Sequence, residues 1–457
     1  MTVLMPDSHN SHPNGQNQTI VMTTKDNHRK GAQRQVSEKN AAARERGMRH
    51  AAVSLLAALL LGGMATSCQP GNSEDSELAQ GKWYQNNHAY TLAVEHFTKA
   101  AEEGDPEAQF ELAKCYEEGK GGLEASDEMA ATWLRKAAEQ GNPMAQYSLA
   151  GKYASGNGVE KNLDTAKMWQ SKAVESFSTK AKQGDALAYD ALALHYQGIK
   201  DEQKAEECRR NAVEVLRTKA EDGDAEAQTV LAEKYGEGEI VGKNDQLRVQ
   251  WLRKAADQGS PKAQMRLAEC YLSGTGVDKS TEQGLHYFQM AAEQGLTDAQ
   301  IRLGLEYLFG INVPEDTEKG LGLWREAADF GNSMAQRLLG ELYLNGRKVG
   351  QNTDTAVEWF RKAAKQGDAK GQYDLAKCYL GGKGVEKDMN EGISWLLKAA
   401  KQDDADAVFL LALCYGAGEG VEKDTEKAAV LTLRAAQLGN EDALKMVKEA
   451  AGMADDD

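Results

Sequence analysis

Six cysteines, eight histidines and a series of glycine-rich loops are the features of this sequence that could do chemistry. Four cysteines (Cys115, Cys270, Cys378 and Cys414) each stand one residue before a tyrosine. A thiol is a metal ligand, a nucleophile, half of a disulfide or a small apolar filler, and its neighbours decide which. Beyond Cys68 no Cys-x-x-Cys or His-x-x-x-His occurs, and only His88, His96, His195 and His286 remain, well dispersed. No serine there is followed by lysine three residues on, and no Gly-x-Ser-x-Gly occurs, so the usual serine-nucleophile arrangements are absent. Loops such as Gly274-Thr275-Gly276-Val277 never continue as Gly-Lys-Ser/Thr, which a phosphate cradle needs. Paired carboxylates such as Glu117-Glu118 and Asp403-Asp404 read as a solvated face. The expectation is a protein that is not an enzyme, with no metal, no cofactor and no small-molecule substrate.

The sixth cysteine differs. Residues 1–47 are rich in Asn, Gln and Ser and lack hydrophobic periodicity, so they read as a disordered or non-native leader. From Met48 a short basic flank precedes an apolar run, Ala51 to Leu61, and then Gly-Gly-Met-Ala-Thr-Ser-Cys68. A run of that length is too short to span a bilayer but suits a signal peptide over 48–68. Ala65-Thr66-Ser67-Cys68 resembles the bacterial lipobox, with Ala65 where Leu is commonest. That resemblance implies lipidation at Cys68, and Gln69 after it implies an outer membrane lipoprotein facing the periplasm or the surface. A periplasmic or secreted protein is the alternative, or a cytosolic adaptor if 48–68 is not a signal. The membrane is then met through the lipid anchor only.

Charge narrows the partners. Of 54 basic and 70 acidic side chains, residues 1–50 hold eight and four, leaving 46 and 66 to residues 69–457, a net of −20. Such a surface argues against nucleic acid. Length alone suggests about three domains, but the chain is one motif repeated. Gly104, Gly141, Gly184, Gly223, Gly259, Gly295, Gly331, Gly367, Asp403 and Gly439 lie 37, 43 and 39 residues apart and then 36 six times over. Counting offsets from that glycine, offset 12 is Tyr in every unit: Tyr116, Tyr153, Tyr196, Tyr235, Tyr271, Tyr307, Tyr343, Tyr379 and Tyr415. Offset 8 is Leu in all nine, and offset 1 is a helix-capping Asp, Asn or Ser everywhere except Leu296, where Thr297 is the substitute cap. Ala at offset 4, Leu at 8 and Tyr at 12 share one stripe of a first helix, helix A. A second helix, B, carries paired Ala and often Trp, and the glycine closes it.

The pattern Gly-[Asp/Asn]-x-x-Ala-Gln-x-x-Leu-[Ala/Gly]-x-x-Tyr-x-x-Gly-x-Gly-Val, followed by Trp-x-x-Lys-Ala-Ala-x-Gln-Gly, resembles the Sel-1-like repeat, a relative of the tetratricopeptide repeat. The resemblance implies an all-α fold: a right-handed superhelical solenoid of antiparallel helix pairs with helix A on the concave side. It also implies a scaffold or adaptor that binds a protein or peptide partner there. Variable offsets 3, 7 and 10 would then meet the partner, among them Glu107, Glu111, Lys114, Lys262, Arg266, Glu269, Lys370, Asp374 and Lys377. Cysteine-rich relatives have been linked to β-lactam binding or hydrolysis, which makes a secreted repeat hydrolase the alternative. Those relatives pair two cysteines within a repeat. No unit here has such a pair, so the thiols are expected free and buried.

The expected organisation is a tether over 69–88, a solenoid over 89–450 (half unit, nine units and a cap helix) and an acidic tail over 451–457. The second and third units carry matching extra segments, Ala173–Ala181 and Ala212–Ala220. Seven added residues are nearly two turns, so helix B is expected to lengthen with its buried face in phase.

Overall fold

Nearly every helix starts at a side-chain cap; those after Ala89 and Leu296 do not. The structure is a computed structural model that describes residues 76–450. These belong to one unit of the chain, Met64–Asp457; the other, Met1–Gly63, lies outside them, as do the expected signal peptide over 48–68, Cys68 and the expected acidic tail. The first helix pair is α1 (Glu77–Asn86) and α2 (Tyr90–Glu102). Next come α3 (Pro106–Glu118), α4 (Asp127–Glu139), α5 (Pro143–Ser155), α6 (Leu163–Lys182), α7 (Ala186–Gly198) and α8 (Glu202–Glu221). The regular stretch is α9 (Ala225–Glu237), α10 (Asp245–Asp257), α11 (Pro261–Ser273), α12 (Thr281–Glu293), α13 (Thr297–Phe309) and α14 (Thr317–Asp329). It continues as α15 (Ser333–Asn345), α16 (Thr353–Lys365), α17 (Ala369–Gly381), α18 (Met389–Lys401), α19 (Ala405–Ala417), α20 (Thr425–Gln437) and α21 (Glu441–Ala450). Each helix packs on the one before and the one after, which makes a solenoid of helix pairs; no strand occurs among the described residues.

The repeated residues explain the stacking. Every capping side chain at offset 1 accepts from a first-turn N–H of helix A, as Asp105 does from Glu107 and Ala108 at 2.8 Å. The nine offset-8 leucines are all buried, each worth about 1.5–3 kcal/mol. On helix B the paired alanines, such as Ala255-Ala256 and Ala363-Ala364, are buried and admit the next helix closely. The Trp-x-x-Lys spacing stacks an ammonium over an indole: Lys136 lies 3.7 Å from the Trp133 ring, and Trp251, Trp359 and Trp395 are covered likewise at 3.8–4.2 Å. The described cysteines are free and buried.

Repeat tyrosines are only partly core. Tyr235 and Tyr271 are buried and the other seven half-buried, because the ring lies along the core while the hydroxyl reaches out. Each tyrosine carbonyl accepts, at 2.8–3.0 Å, from the backbone N–H of the residue that caps its own helix B, from Ser126 on Tyr116 to Asp424 on Tyr415. Several hydroxyls accept from an arginine 18 residues earlier, on the preceding helix B: Arg135 on Tyr153, Arg253 on Tyr271, Arg325 on Tyr343 and Arg361 on Tyr379. In those four units one residue thus fixes its own hairpin through its carbonyl and joins it to the previous one through its hydroxyl.

Three expectations need correction. The stretch read as a tether over 69–88 is helical from Glu77, so the first unit is a full pair rather than a half. Helix α1 lacks the Ala/Leu/Tyr stripe; Gly81 instead lets Phe97 of α2 lie against its backbone. Thr297 does not cap α13: its hydroxyl reaches Asn87, and Asn87 Oδ1 accepts from the Thr297 N–H at 3.0 Å. Asp403, in the glycine's place, takes the glycine's conformation at φ 58°. The two long B helices are as expected, α6 and α8 at 20 residues where the regular ones have 13, with Phe177 and Ala181, and Leu216 and Ala220, continuing their buried faces.

After its sixth unit the stack meets its own start. Asn332 Nδ2 donates to the Asn87 carbonyl at 3.1 Å, and the Ser333 N–H to the His88 carbonyl at 3.1 Å. The Gly121 N–H donates to the Gln366 carbonyl at 3.0 Å. Trp83 and Tyr84 pack on Phe330, with ring centroids 4.9 and 5.6 Å away.

Candidate functional site

The A helices of neighbouring units lie side by side, and their variable offsets form one continuous face. Lys82 of α1 bonds Glu107 of α3, and Gln85 Nε2 donates to Glu111 Oε2 at 3.0 Å. Lys234 of α9 lies 3.9 Å from Asp190 of α7, and Arg266 of α11 reaches Glu233 of α9 at 3.3 Å. Asp374 of α17 feels both Glu341 and Arg337 of α15.

The nine residues expected to meet a partner fall into three local groups on this face, on α3, α11 and α17. Glu111 is buried and also takes Lys114 at 2.7 Å, so the first group is largely occupied within the molecule. Arg266 bridges Glu233 and Glu269, while Lys262 is exposed and close enough to act on Glu226. Lys377 sits 3.5 Å from Asp374 and 4.7 Å from the Tyr373 ring centre, and Lys370 is exposed. Burial pushes the Asp374 carboxyl up to about 6 and raises Asp190, Glu226 and Glu237 as well, each against the pull of nearby lysines. Burial also raises Asp298, yet His88 at 3.6 Å, with Arg266 and Arg302, brings that carboxyl below its ordinary value. Glu226, Glu233, Asp190, Lys234, Arg337 and Glu341 share the face without having been singled out from sequence, although several occupy the same offsets.

Sequence reasoning left the Ala-Gln and Gln-Gly positions of the motif without a role, and here they form a buried ladder. Gln264 Nε2 donates to the Ala256 carbonyl of the preceding helix B, and Gln294 Nε2 donates to Gln264 Oε1 at 2.7 Å. Gln109 with Gln140, Gln228 with Gln258, Gln336 with Gln366 and Gln372 with Gln402 repeat this pairing. Four units lack this rung: Ser176 takes the second place opposite Gln146, Tyr189 replaces the first glutamine beside the long helices, Phe330 replaces the second where the chain meets its start, and Val408 and Leu438 stand at both places in the last unit. Among the described residues no group of His, Cys, Asp or Glu is arranged to hold a metal, and no helix is long and apolar enough to cross a membrane.

The Sel1 repeat family model matches residues 82–105, 106–142, 143–176, 225–260, 261–296, 297–332, 333–368, 369–404 and 405–440, well over half of the chain. The chain belongs to the Sel1-repeat family. The stretch that the model passes over, 177–224, holds the end of α6 and the α7–α8 pair and is built as another Sel1 unit with a longer helix B. Among solved structures, the chain is similar to a protective antigen of uropathogenic Escherichia coli that displays an SLR fold: 31% identity, 82% of this chain and 78% of that one, TM-score 0.44. A Sel1 repeat protein from Oxalobacter formigenes is 30% identical over 53% of this chain and 96% of that one, TM-score 0.44. Helicobacter pylori cysteine rich protein B is 26% identical over 27% of this chain and 93% of that one, TM-score 0.23. No curated protein matches the chain. Sel1-repeat proteins are generally protein-interaction scaffolds and mostly non-catalytic.

Proposed function

We propose that this Sel1-repeat protein is a non-catalytic scaffold, lipid-anchored through Cys68 at a bacterial cell envelope, that holds a protein or peptide partner along the concave face of its A helices. The division of labour within each unit carries this reading. Residues constant from unit to unit (the leucines, the alanines, the ladder glutamines) are buried in stacking, and the residues that vary stand on the A-helix face. That face is polar and of mixed charge beside α9, α11 and α17, which suits a polar peptide or protein surface. Near the long helices it turns apolar: Tyr147, Leu194 and Ile199 stand exposed on and just after α5 and α7. An apolar anchor beside fixed charges fits peptide recognition.

Two experiments separate the parts. Metabolic labelling with a fatty-acid analogue should mark the wild type and be lost in Cys68→Ala; equal labelling of both removes the anchor. Crosslinking and affinity capture from the native envelope should recover a partner whose crosslinks fall on α5–α17 A-helix residues. Crosslinks confined to the B helices would overturn the binding-face reading.

A further inference from the structure

The first helix pair does more than begin the stack. Leu296 is the one offset-1 residue without a capping side chain, and Phe330 replaces a ladder glutamine. Both departures from the repeat face the first hairpin: Phe330 meets Trp83 and Tyr84 of α1, and the Leu296–Thr297 start of α13 meets Asn87 just after it. Asn87, 3% exposed, accepts from the Thr297 N–H, the first donor of the α13 that Leu296 leaves uncapped, from 210 residues away. Asn332 and Thr297, both buried, close a hydrogen-bonded knot around it: Asn332 Nδ2 donates to Thr297 Oγ1 at 2.8 Å and to the Asn87 carbonyl. Gln366 forms a second seam. Its carbonyl accepts from Gly121, its Oε1 from the Thr91 N–H at 3.3 Å, and its Nε2 donates to Gly331 and Gln336. Backbones are close enough there that a Cβ on Gly367 would stand 2.4 Å from the Gly119 carbonyl oxygen. On its other face α1 lays Lys82, itself buried, against Glu107, and Gln85 against Glu111; Lys82 also acts electrostatically on Glu226, four helix pairs along.

We propose that the α1–α2 hairpin is a clasp: it closes the Sel1 superhelix on itself through Asn87 and Gln366, and while closed it engages Glu107 and covers Glu111 on the A-helix face. Release of the clasp opens the superhelix and frees those carboxylates for a cationic segment of a partner. That the carboxylates belong to a binding face rests on the function proposed above. The clasp does not, and its test needs no partner.

Asn87→Ala removes the borrowed cap. The double variant Asn87→Ala/Leu296→Asp gives α13 a cap of its own while leaving the seam broken. Gly367→Ala is matched with Gly259→Ala, a closing glycine of similar φ (+84° against +90°) with nothing within 4 Å of its Cβ position. All are made in the full purified chain and read by small-angle scattering, hydrogen exchange over 296–301 and carbodiimide labelling of Glu111. Asn87→Ala should speed exchange there about tenfold, lengthen the particle and raise Glu111 labelling several-fold. The double variant should restore slow exchange yet stay long and labelled. Gly367→Ala should behave as an opened chain and Gly259→Ala should not. If Asn87→Ala alters exchange alone, or if the two glycine variants give equal dimensions and labelling, the clasp is overturned and Asn87 is only a local cap. Should Asn87→Ala lose helicity, the glycine pair decides.

Discussion

At the residue scale, the buried glutamines show how little polarity says about position. An amide on a core face is tolerated only when its donors and acceptor are met, and the ladder meets them by linking each unit to its neighbour. Gln264→Ala should therefore lower stability by about 1–3 kcal/mol in chemical denaturation, since it strands the Gln294 amide and removes the inter-unit donor on the Ala256 carbonyl. Gln300→Ala at the same offset should cost less than about 0.5 kcal/mol, because Gln300 reaches only the exposed Glu326 at 3.4 Å. Asp374 supplies a pH signature. Burial raises its carboxyl to about 6, Lys377 and Arg337 opposing and Glu341 adding to the rise. The folded chain thus holds a proton that the unfolded chain releases near 3.8. Ionisation therefore costs stability as pH rises from about 4 through about 6, by ~3 kcal/mol at most and about 1–2 once partial solvent access is counted. Asp374→Asn should be the more stable protein near pH 7.5 and lose that advantage near pH 4 in paired thermal melts. Leucines, caps and tyrosines were legible in the sequence because nine copies average out local accident. The arginine on four of the tyrosine hydroxyls escaped, because its 18-residue spacing shows only when adjacent units are read together.

At the element scale, helix starts, helix ends and the long α6 and α8 follow from residues within a few positions of each boundary. Helix α1 escaped because tertiary contacts hold it: Gly81 against Phe97, Lys82 and Gln85 against α3, and Trp83 and Tyr84 against Phe330. No spacing within α1 announces those partners. The long helices make a separate prediction. Ser176, at the ladder position of α6, donates to Gln146 Oε1 at 3.1 Å, so the inserted turns lie beyond the last ladder rung. Removing seven residues from each of α6 and α8 keeps the heptad phase and should leave the helix content per residue unchanged by circular dichroism. If the longer helices form part of the docking surface, partner capture should fall. Undiminished capture would make the insertions neutral lengthening.

For the whole molecule, a stack with neighbour contacts alone is a sum of unit and interface terms, and its thermodynamics are legible from sequence in principle. The seam at Asn87, Thr297, Asn332 and Gln366 is not, because its partners stand 210 to 275 residues apart and no period relates them. A linear stack unravels from both ends; this one is joined near its start and free only at α20–α21. Hydrogen exchange should accordingly find α20 and α21 opening well before α1 and α2, although all four stand at the ends of the described stack. Joining also changes who feels whom. In a linear array, damage to one unit is invisible beyond its neighbours, whereas in a closed loop every unit bears on the join. Leu267→Ala in α11 and Asn87→Ala share no contact, yet their effects should be non-additive in a double-mutant cycle, because loosening any link in a fastened chain slackens its fastening.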